Sequence, residues 1–375
     1  MRAAALLLVI AWLAPGWAAA QNSVYGLVGI GFPGDPLGAR ARSLGGGIGA
    51  FDPTSALNPA TVAGLGRLVV GGAAGTSLRR YTAGDSTVTG LRETRFPFGM
   101  FGGIIPNTPL SFAVSFSTYA ERTYDVTTTG TQVLRGDTLT VTDRVASDGA
   151  VTDFRGALAV RPWSRLLIGG AFHLLGGSSR LTVGRSFSSP DYSPYVERNQ
   201  LSFSGIGVSG GIVLRPTSAI ELAASARLDG DLEIRSETQT AGAVRLPVSL
   251  MGGLRLLPAA GLTLASTAVR RSWSRSQPDL IAPSQAFDTW EIGSGVELSR
   301  PGGGLVPLRL GYRYRQLPFS NVATQPTETV ITGGTGLLLG GGRASLDASV
   351  ERFHRSGGGA DEQGWYFSLG VIIVP

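Results

Sequence analysis

The chain has 375 residues, of which 55 are glycine and none is cysteine, and 32 basic against 26 acidic residues give a net charge of +6. The lack of cysteine excludes disulfide scaffolds, Cys-ligated metal sites and cysteine nucleophiles, and two histidines, His173 and His354, leave little for a histidine metal cluster. Only 15% of the residues are charged and the mean hydropathy is +0.16, whereas soluble domains carry about 25% charged residues.

The first twenty residues have the organisation of a secretory signal peptide. Arg2 precedes an apolar run over residues 3–13, and residues 18–20 are three alanines that suit a cleavage site. The run is too short to cross a bilayer as a helix, which takes about 20 apolar residues. We therefore expect residues 1–20 to be removed and the mature chain to be exported.

Residues 21–66 have a different pattern from the rest of the chain. The stretches 36–50 and 53–65 are typical of short helices and turns, and Asp52 followed by Pro53 has the pattern of a helix N-cap with proline in the first turn. A compact N-terminal segment before a wide barrel fits inside a lumen that the barrel's own side chains cannot fill. This segment is therefore predicted to be a plug.

From Arg67 onward, apolar residues alternate with small or polar ones at the period of two that marks a strand with one apolar face. Fourteen such segments follow one another, at 67–81, 92–104, 109–128, 149–161, 165–186, 196–215, 219–236, 240–257, 261–273, 286–300, 306–316, 326–339, 343–354 and 363–374. The predicted fold is all-β: residues 67–375 form a transmembrane antiparallel β-barrel of about fourteen strands. A soluble β-sandwich or propeller is the alternative, but it would place charges where these strands carry leucine, phenylalanine and valine.

The connections between the segments alternate between tight turns and longer polar stretches. Tight turns lie at 106–108, 162–164, 216–218, 258–260, 301–303 and 340–342, and the longer stretches include 129–148, 187–195, 274–285 and 355–362. Outer-membrane barrels have short periplasmic turns and longer extracellular loops. The sequence therefore predicts a protein of the bacterial outer membrane in contact with its lipids.

Seven arginines stand at the short-turn ends of the strands, where a guanidinium group can reach lipid headgroups. They are Arg67, Arg161, Arg165, Arg215, Arg255, Arg300 and Arg343, and we expect them to anchor the periplasmic rim. Aromatic residues, among them Tyr119, Trp273 and Phe353, cluster toward the opposite ends, as at a membrane–water interface. Because the basic residues are spread along the strands, the positive charge does not indicate a nucleic-acid partner.

Charged residues on the inward faces of three late strands form the candidate lumenal site. They are Arg309, Arg313, Arg315, Glu291, Glu297, Asp347 and Glu351. The favoured interpretation is a network of ion pairs that pins the plug. The alternative is that one of these arginines binds a ligand carboxylate, which guanidinium groups do well.

Two glycine patterns resemble catalytic or nucleotide-binding motifs. Residues 29–34 and 205–210 both match GxGxxG, but neither lies between a parallel strand and a helix, as a dinucleotide site requires. The second stretch overlaps a GxSxG pattern in which Ser209 could act with His173 or His354, but no helix follows to form a nucleophile elbow. We expect these matches to be chance ones, and the sequence indicates neither an enzyme nor a cofactor or metal.

The leader resembles that of the FadL-type outer-membrane transporters of fatty acids and hydrocarbons. The resemblance rests on the small-residue stretch 41–50, which contains Gly45 and Gly46, and on the motif Asn58-Pro59-Ala60. Leu57 departs from the aromatic residue usual in the family before this motif. The resemblance implies a fourteen-stranded barrel with an N-terminal hatch and passive uptake of hydrophobic small molecules.

The family resemblance also implies release of the ligand through a lateral gap at a kinked strand. Pro97 and Pro247 are candidate interruptions, because proline cannot donate a hydrogen bond to the ladder, whereas the third strand has neither proline nor glycine between Leu110 and Thr129. PorV-type proteins share the leader pattern. The alternative function is therefore an outer-membrane docking or assembly component whose partner is a secreted or surface protein.

Overall fold

The computed structural model describes residues 23–83, 86–236, 240–299 and 306–375. The predicted signal peptide and Arg300 lie outside the described residues. No helix in the described part of the chain is both long and apolar enough to cross a bilayer.

Fourteen antiparallel strands form a closed barrel, which confirms the predicted fold class. Strands 1 to 14 comprise, in order, Val69–Ala83, Ser86–Ile104, Leu110–Glu121 with Tyr124–Leu134, Asp137–Trp163, Leu166–Phe187, Tyr195–Leu214, Ile220–Asp229 with Asp231–Ser236, Thr240–Arg245 with Val248–Ala259, Leu262–Arg271, Thr289–Leu298, Leu308–Gln316, Thr327–Leu339, Ala344–Gly357 and Ala360–Ile373. The ladder closes where strand 1 pairs with strand 14, with Val70 opposite Ile373.

The outer face of the barrel is apolar. Val114, Leu158 and Leu310 are 57%, 55% and 64% exposed, while the inward positions beside them, such as Ala113 and Ala157, are small and buried. Exposed leucine and valine on the outside of a closed barrel suit hydrocarbon, because pairing between strands satisfies most of the backbone hydrogen-bonding groups. The barrel therefore belongs in the outer membrane, as the alternating pattern predicted.

Two predicted loops are strands instead. The predicted loop 129–148 belongs to a hairpin in which Tyr124–Leu134 pairs residue by residue with the first part of strand 4. The turn lies at Arg135 and Gly136, whose positive φ angles of 51° and 94° suit a tight hairpin turn. Likewise, strands 13 and 14 extend through 355–362 and meet at Gly357 and Ala360. These extensions carry polar residues on both faces, so they lack the alternation by which the membrane-facing parts are recognised.

Residues 23–66 fill the inside of the barrel. Their regular elements are a 3-10 helix at Val24–Gly26, a two-residue strand at Phe32–Pro33, a short α-helix at Ala39–Ser43 and a 3-10 helix at Pro59–Gly64. Below we call residues 23–66 the plug. Its apolar side chains, among them Leu37, Leu44 and Ile48, are almost fully buried in a cluster with small inward residues of the wall.

Glycines allow the plug backbone to touch the wall. Gly45 has φ +61°, and a Cβ there would lie 2.6 Å from the Tyr312 carbonyl oxygen. On the wall, a Cβ at Gly311 would lie 2.2 Å from the Leu44 carbonyl carbon, and one at Gly293 would meet the Gly45 oxygen. The Gly45-Gly46 stretch of the leader thus lies directly against strands 10 and 11, where a larger residue on either side would force the plug away.

The N-cap in the plug is at Asn58 and not at Asp52. Asp52 accepts hydrogen bonds from the backbone N–H and hydroxyl of Thr54 (2.9 and 2.7 Å), which forms a turn. The Asn58 Oδ1 instead accepts from the Ala60 N–H at 3.0 Å at the start of the Pro59–Gly64 helix. Its Nδ2 donates to the carbonyls of Ala50 and Ile212 at 3.1 and 3.2 Å, so this one buried side chain also ties the plug to strand 6.

Replacing Asn58 by alanine is expected to destabilise the plug by about 2–3 kcal/mol, because it removes a helix cap and the Nδ2 donor to the Ala50 and Ile212 carbonyls. Asn58→Ser is the matched control, since it keeps a capping oxygen but loses the Nδ2 donor. Protease cleavage within the plug, measured in detergent, should rise in the order wild type, Asn58→Ser, Asn58→Ala. Equal cleavage of all three proteins would show that this contact does not hold the plug.

Candidate functional site

The inward charges predicted on strands 10, 11 and 13 come together in the lumen. Arg309 contacts Glu297 (Nε–Oε2 2.7 Å) and Asp347 (Nη1–Oδ1 2.6 Å), and Glu297 also contacts Arg40 of the plug (Oε1–Nη2 2.7 Å). Glu291, in contrast, pairs with Arg271 of strand 9 at 2.9 Å. One end of the cluster therefore joins the wall to the short plug helix.

Arg313 is the centre of the cluster. Its Nη1 lies 2.5 Å from Asp35 Oδ2 in the plug, and its Nη2 lies 3.2 Å from Glu351 Oε2 on strand 13. Arg42 of the plug bridges the same two carboxylates, at 3.3 Å from Asp35 and 3.1 Å from Glu351. These contacts favour the interpretation of the cluster as an ion-pair network that pins the plug, and this role stays a prediction.

The charge of Asp35 is stabilised by its partners. Burial alone would raise the pKa of this carboxyl, but the guanidinium groups of Arg313 and Arg42 outweigh burial and hold the pKa well below its usual range. When folding lowers the pKa of an acid, the acid contributes fully to stability at pH values above its pKa in the unfolded state. The contribution of Asp35 is therefore present above about pH 4 and declines as the pH falls further.

The ion-pair network also includes Glu328, Arg355 and Glu362, which the sequence patterns did not indicate. Glu328 on strand 12 accepts hydrogen bonds from Arg315 (Nη2–Oε2 3.1 Å) and from Arg355, and Arg355 contacts Glu362 of strand 14 (Nη1–Oε2 3.1 Å). The alternation along strand 12 could have indicated that Glu328 points inward, because Glu328 lies on the same buried face of the strand as Val330. The plug residues Asp35, Arg40 and Arg42 lie in a segment without a periodic pattern, so their role could not be predicted from the sequence.

The barrel wall is interrupted between strands 2 and 3. Their ladder runs from Ile104 opposite Ser111 to Phe98 opposite Ser117, and among the described residues it goes no further. It ends next to Pro97, and strand 3 is itself broken between Glu121 and Tyr124. The break in strand 3 contains neither proline nor glycine, which explains why the sequence pattern missed it. Pro247 likewise falls at the break within strand 8.

The plug fills the start of this interruption, which we call the wall gap. Phe32 and Pro33 pair with Glu121 and Ala120 in antiparallel register, and the Gly34 N–H donates to the Tyr119 carbonyl at 2.9 Å. The plug thus supplies the hydrogen-bonding partner that strand 2 does not provide. A segment held by so short a ladder can leave without breaking any pairing between barrel strands.

Phe32 lies between two guanidinium groups at the inner side of the wall gap. The Arg355 and Arg315 carbons are 4.3 and 4.9 Å from the centre of its ring, so both make cation–π contacts. A cavity of about 70 Å³ adjoins this ring and is lined by Pro97 and Thr118 from the two edges of the gap. The place that Phe32 occupies is therefore suited to a flat aromatic group.

An apolar layer closes the barrel on the side of the longer loops. It combines Val28 and Ile30 of the plug with inward residues of the wall such as Phe203 and Leu232. Trp273 and Tyr119, predicted at the membrane interface, turn inward into this layer, and Phe353 is also buried. A hydrophobic molecule that arrives from outside would meet this layer before the charged network.

The rim arginines divide into two groups. Arg67, Arg161, Arg165 and Arg343 are exposed at the short-turn ends, and Arg161 also donates to the Ala63 carbonyl of the plug at 3.2 Å. The remaining described pair, Arg215 and Arg255, both contact Glu221. Their role as lipid anchors stays a prediction.

Ser209 and His173 lie in hydrogen-bonding contact, with 2.9 Å between Ser209 Oγ and His173 Nε2. His354 is instead paired with Asp361 on the exposed side of strand 13. Gly205 to Gly210 lie inside strand 6, as expected, so no nucleotide loop or elbow forms. The residue missing from the sequence prediction is Asp153, whose carboxylate contacts the other nitrogen of His173 at 3.0 Å.

Solved structures share this fold. A Pseudomonas aeruginosa FadL homologue gives a TM-score of 0.61 at 13% identity, over 93% of this chain and 99% of that chain. The Ralstonia pickettii toluene transporter TbuX gives 0.60 at 16% identity, and the CymD monoaromatic hydrocarbon channel 0.59 at 15%, each over 91% of this chain and 98% of the other. No protein-family model and no curated protein matches the sequence.

The similarity confirms the FadL-type fold that the leader motif indicated, a fourteen-stranded barrel with an N-terminal hatch. At identities of 13–16% it establishes the fold alone. The similar proteins are a transporter, a channel and a FadL homologue, none of them described as an enzyme, which agrees with the expectation of a non-enzymatic barrel.

Proposed function

We propose that this protein is a passive outer-membrane channel for hydrophobic small molecules, such as hydrocarbons or fatty acids. The observation that carries the proposal is the wall gap between strands 2 and 3, which a plug segment closes through a two-residue ladder. A hydrophobic molecule that leaves through the wall enters the membrane without crossing the polar periplasmic end. The apolar layer around Phe203 and Leu232 provides the site of first capture.

The charged network explains why the plug must move for passage. Two cavities beside the plug have volumes of only about 70 and 80 Å³ and are lined by charged groups as well as apolar ones, which favours a closed conformation. Displacement of Phe32 from between Arg315 and Arg355 would open the gap and expose a slot that favours aromatic groups. Among hydrophobic substrates, this favours aromatic hydrocarbons.

Uptake by whole cells tests the proposal, because the lipopolysaccharide leaflet, and not a phospholipid bilayer, is the barrier to hydrophobic solutes. In a strain that lacks its own hydrophobic-compound transporter, expression of this protein should raise the initial uptake rate of radiolabelled toluene, with oleate as the fatty-acid comparison and lactose as the polar control. The rate should not depend on the energy state of the cell. Unchanged uptake of both toluene and oleate would contradict transport and leave the docking function as the better account.

A further inference from the structure

Three side chains on adjacent strands of the inner wall have the geometry of a serine hydrolase triad. Both carboxylate oxygens of Asp153 on strand 4 lie 3.0 Å from His173 Nδ1 on strand 5, and His173 Nε2 lies 2.9 Å from Ser209 Oγ on strand 6. The three follow one another diagonally across the ladder, since Arg155 stands opposite His173 and Ala171 opposite Ser209. Triads are recognised by such geometry and not by sequence order.

The contacts fix the protonation pattern that a catalytic histidine needs. An ionised carboxylate only accepts hydrogen bonds, so His173 Nδ1 must carry the proton, and Nε2 of the neutral ring is left to accept the Ser209 hydroxyl. Arg227 of strand 7 holds the carboxylate in place, with 2.6 Å between its Nη1 and Asp153 Oδ2. His173 and Asp153 are buried, whereas Ser209 is partly exposed.

Arg155 is a cationic hydrogen-bond donor beside the triad that has no role in the contacts described so far. Arg155 is buried directly opposite His173 in the ladder, and its Nε and Nη2 atoms have no hydrogen-bond partner among the described residues. Buried N–H groups without an acceptor are costly, and Arg155 is not part of the network that holds the plug. It provides the donor that an ester hydrolase requires for the negative oxygen of its tetrahedral intermediate.

A small cavity adjoins the triad at Asp153 and at Arg227, which stands opposite Ser209 in the ladder. Its volume is about 80 Å³, and its other walls include Leu57 of the plug and Met251 and Val269 of the barrel. The volume suits an acyl chain of a few carbons, and the mixed lining suits an ester better than a charged acid or a sugar. The nearby charges are themselves paired, Arg227 with both Asp153 and Asp229.

We propose that Ser209, His173 and Asp153 hydrolyse short, uncharged carboxylic esters inside the barrel, an activity separate from transport. Ser209 Oγ attacks the ester carbonyl carbon as its proton passes to His173 Nε2, and Arg155 stabilises the oxyanion. The bond to the alkoxy oxygen breaks, and His173 protonates the departing alcohol. Water, deprotonated by His173, then attacks the acyl-serine, releases the carboxylic acid and restores the Ser209 hydroxyl.

The test uses the purified full-length protein in detergent with a fluorophosphonate probe and with p-nitrophenyl acetate. The probe should bind covalently to the peptide that contains Ser209, as mapped by mass spectrometry. Ester hydrolysis should fall to background in Ser209→Ala, about 10²–10⁴-fold in His173→Asn, which removes the base, and about 10²–10³-fold in Arg155→Met, which removes the oxyanion donor. A polar network with a merely structural role would give no adduct and no such series.

Ser349→Ala is the matched control, because Ser349 also lies on the inner wall and is hydrogen-bonded across the ladder, to Ser368 at 2.6 Å. Its labelling and hydrolysis should equal those of the wild type. If Ser209→Ala does not fold, the position of the probe adduct in the wild-type protein is by itself the test of the proposal. Absence of an adduct at Ser209, or hydrolysis that persists in folded Ser209→Ala, overturns the proposal. Neither outcome affects the transport proposal, whose readout is uptake by cells.

Discussion

A disulfide between positions 33 and 120 is expected to abolish uptake of hydrophobic compounds, and its reduction should restore it. Pro33 and Ala120 stand directly opposite each other where the plug pairs with strand 3. Opposite residues in antiparallel strands have Cα atoms about 4.5–5.5 Å apart, within the range that a disulfide spans. The chain has no cysteine, so Pro33→Cys with Ala120→Cys introduces a single possible bridge.

The physical basis of this expectation is that the plug segment must leave the wall gap before anything can pass. Toluene uptake by cells that carry the oxidised double variant should fall to the rate of cells without the protein, and a membrane-impermeant reductant should recover it. Each single-cysteine variant should transport normally. Full uptake with the bridge demonstrably formed would show that ligands leave by another route.

Ser266→Cys with Ser294→Cys gives a matched control bridge. These two residues face each other on strands 9 and 10, with 2.9 Å between their hydroxyl oxygens, and neither forms a hydrogen bond with the plug. A disulfide there joins strands that are already continuously paired. Oxidation of this pair should leave uptake unchanged, so that any loss in the first variant reflects the plug.

Replacing Arg313 by methionine is expected to destabilise the protein by about 3–5 kcal/mol, the usual cost of removing one partner from a buried ion pair. Arg313 is buried among Asp35, Glu351 and Glu328, and its loss leaves these carboxylates with too little positive charge. Denaturant unfolding in detergent measures the free-energy change. Protease cleavage in the plug should increase in parallel, because Asp35 lies on the plug.

Two comparisons isolate the buried charge as the cause. Arg245→Met removes an exposed arginine that pairs with Asp279 in an outer loop (3.0 Å), and it should cost about 1 kcal/mol or less. Adding Glu351→Gln to Arg313→Met removes one uncompensated charge and should recover part of the loss, a coupling that a double-mutant cycle detects. A loss in Arg313→Met no larger than in Arg245→Met would contradict the proposed pinning network.

Much of the fold follows from residue patterns. Alternation along single strands, as in Leu308 to Tyr314, depends only on local sequence and on which face meets lipid, so strand number and inward charges were predictable. The hairpin beyond the membrane was not, because Thr127 to Thr131 are polar on both faces and no lipid selects between them.

The candidate sites depend on how neighbouring strands pair, which the sequence of a single strand does not show. The contact of Asp153 with His173 depends on the register between strands 4 and 5, since a shift of one residue would turn either side chain to the lipid. The wall gap arises from the loss of pairing after Phe98 and from a break at Arg122 and Thr123. Pro97 indicates the end of the strand 2 ladder in the sequence, but neither residue at the break in strand 3 is a proline or glycine, so that break could not be predicted.

The polar ties of the plug also constrain the order of assembly. The N-terminal segment bonds to the end of the chain: Ser23 donates to Glu362, Tyr25 to the Ala360 carbonyl, and Arg42 to Glu351. These partners are more than 300 residues apart, among the slowest contacts for a chain to form. The first part to be synthesised therefore gains its partners only when strands 13 and 14 are in place. Barrel closure, which joins strand 1 to strand 14, and docking of the plug thus belong to the same final stage of biogenesis.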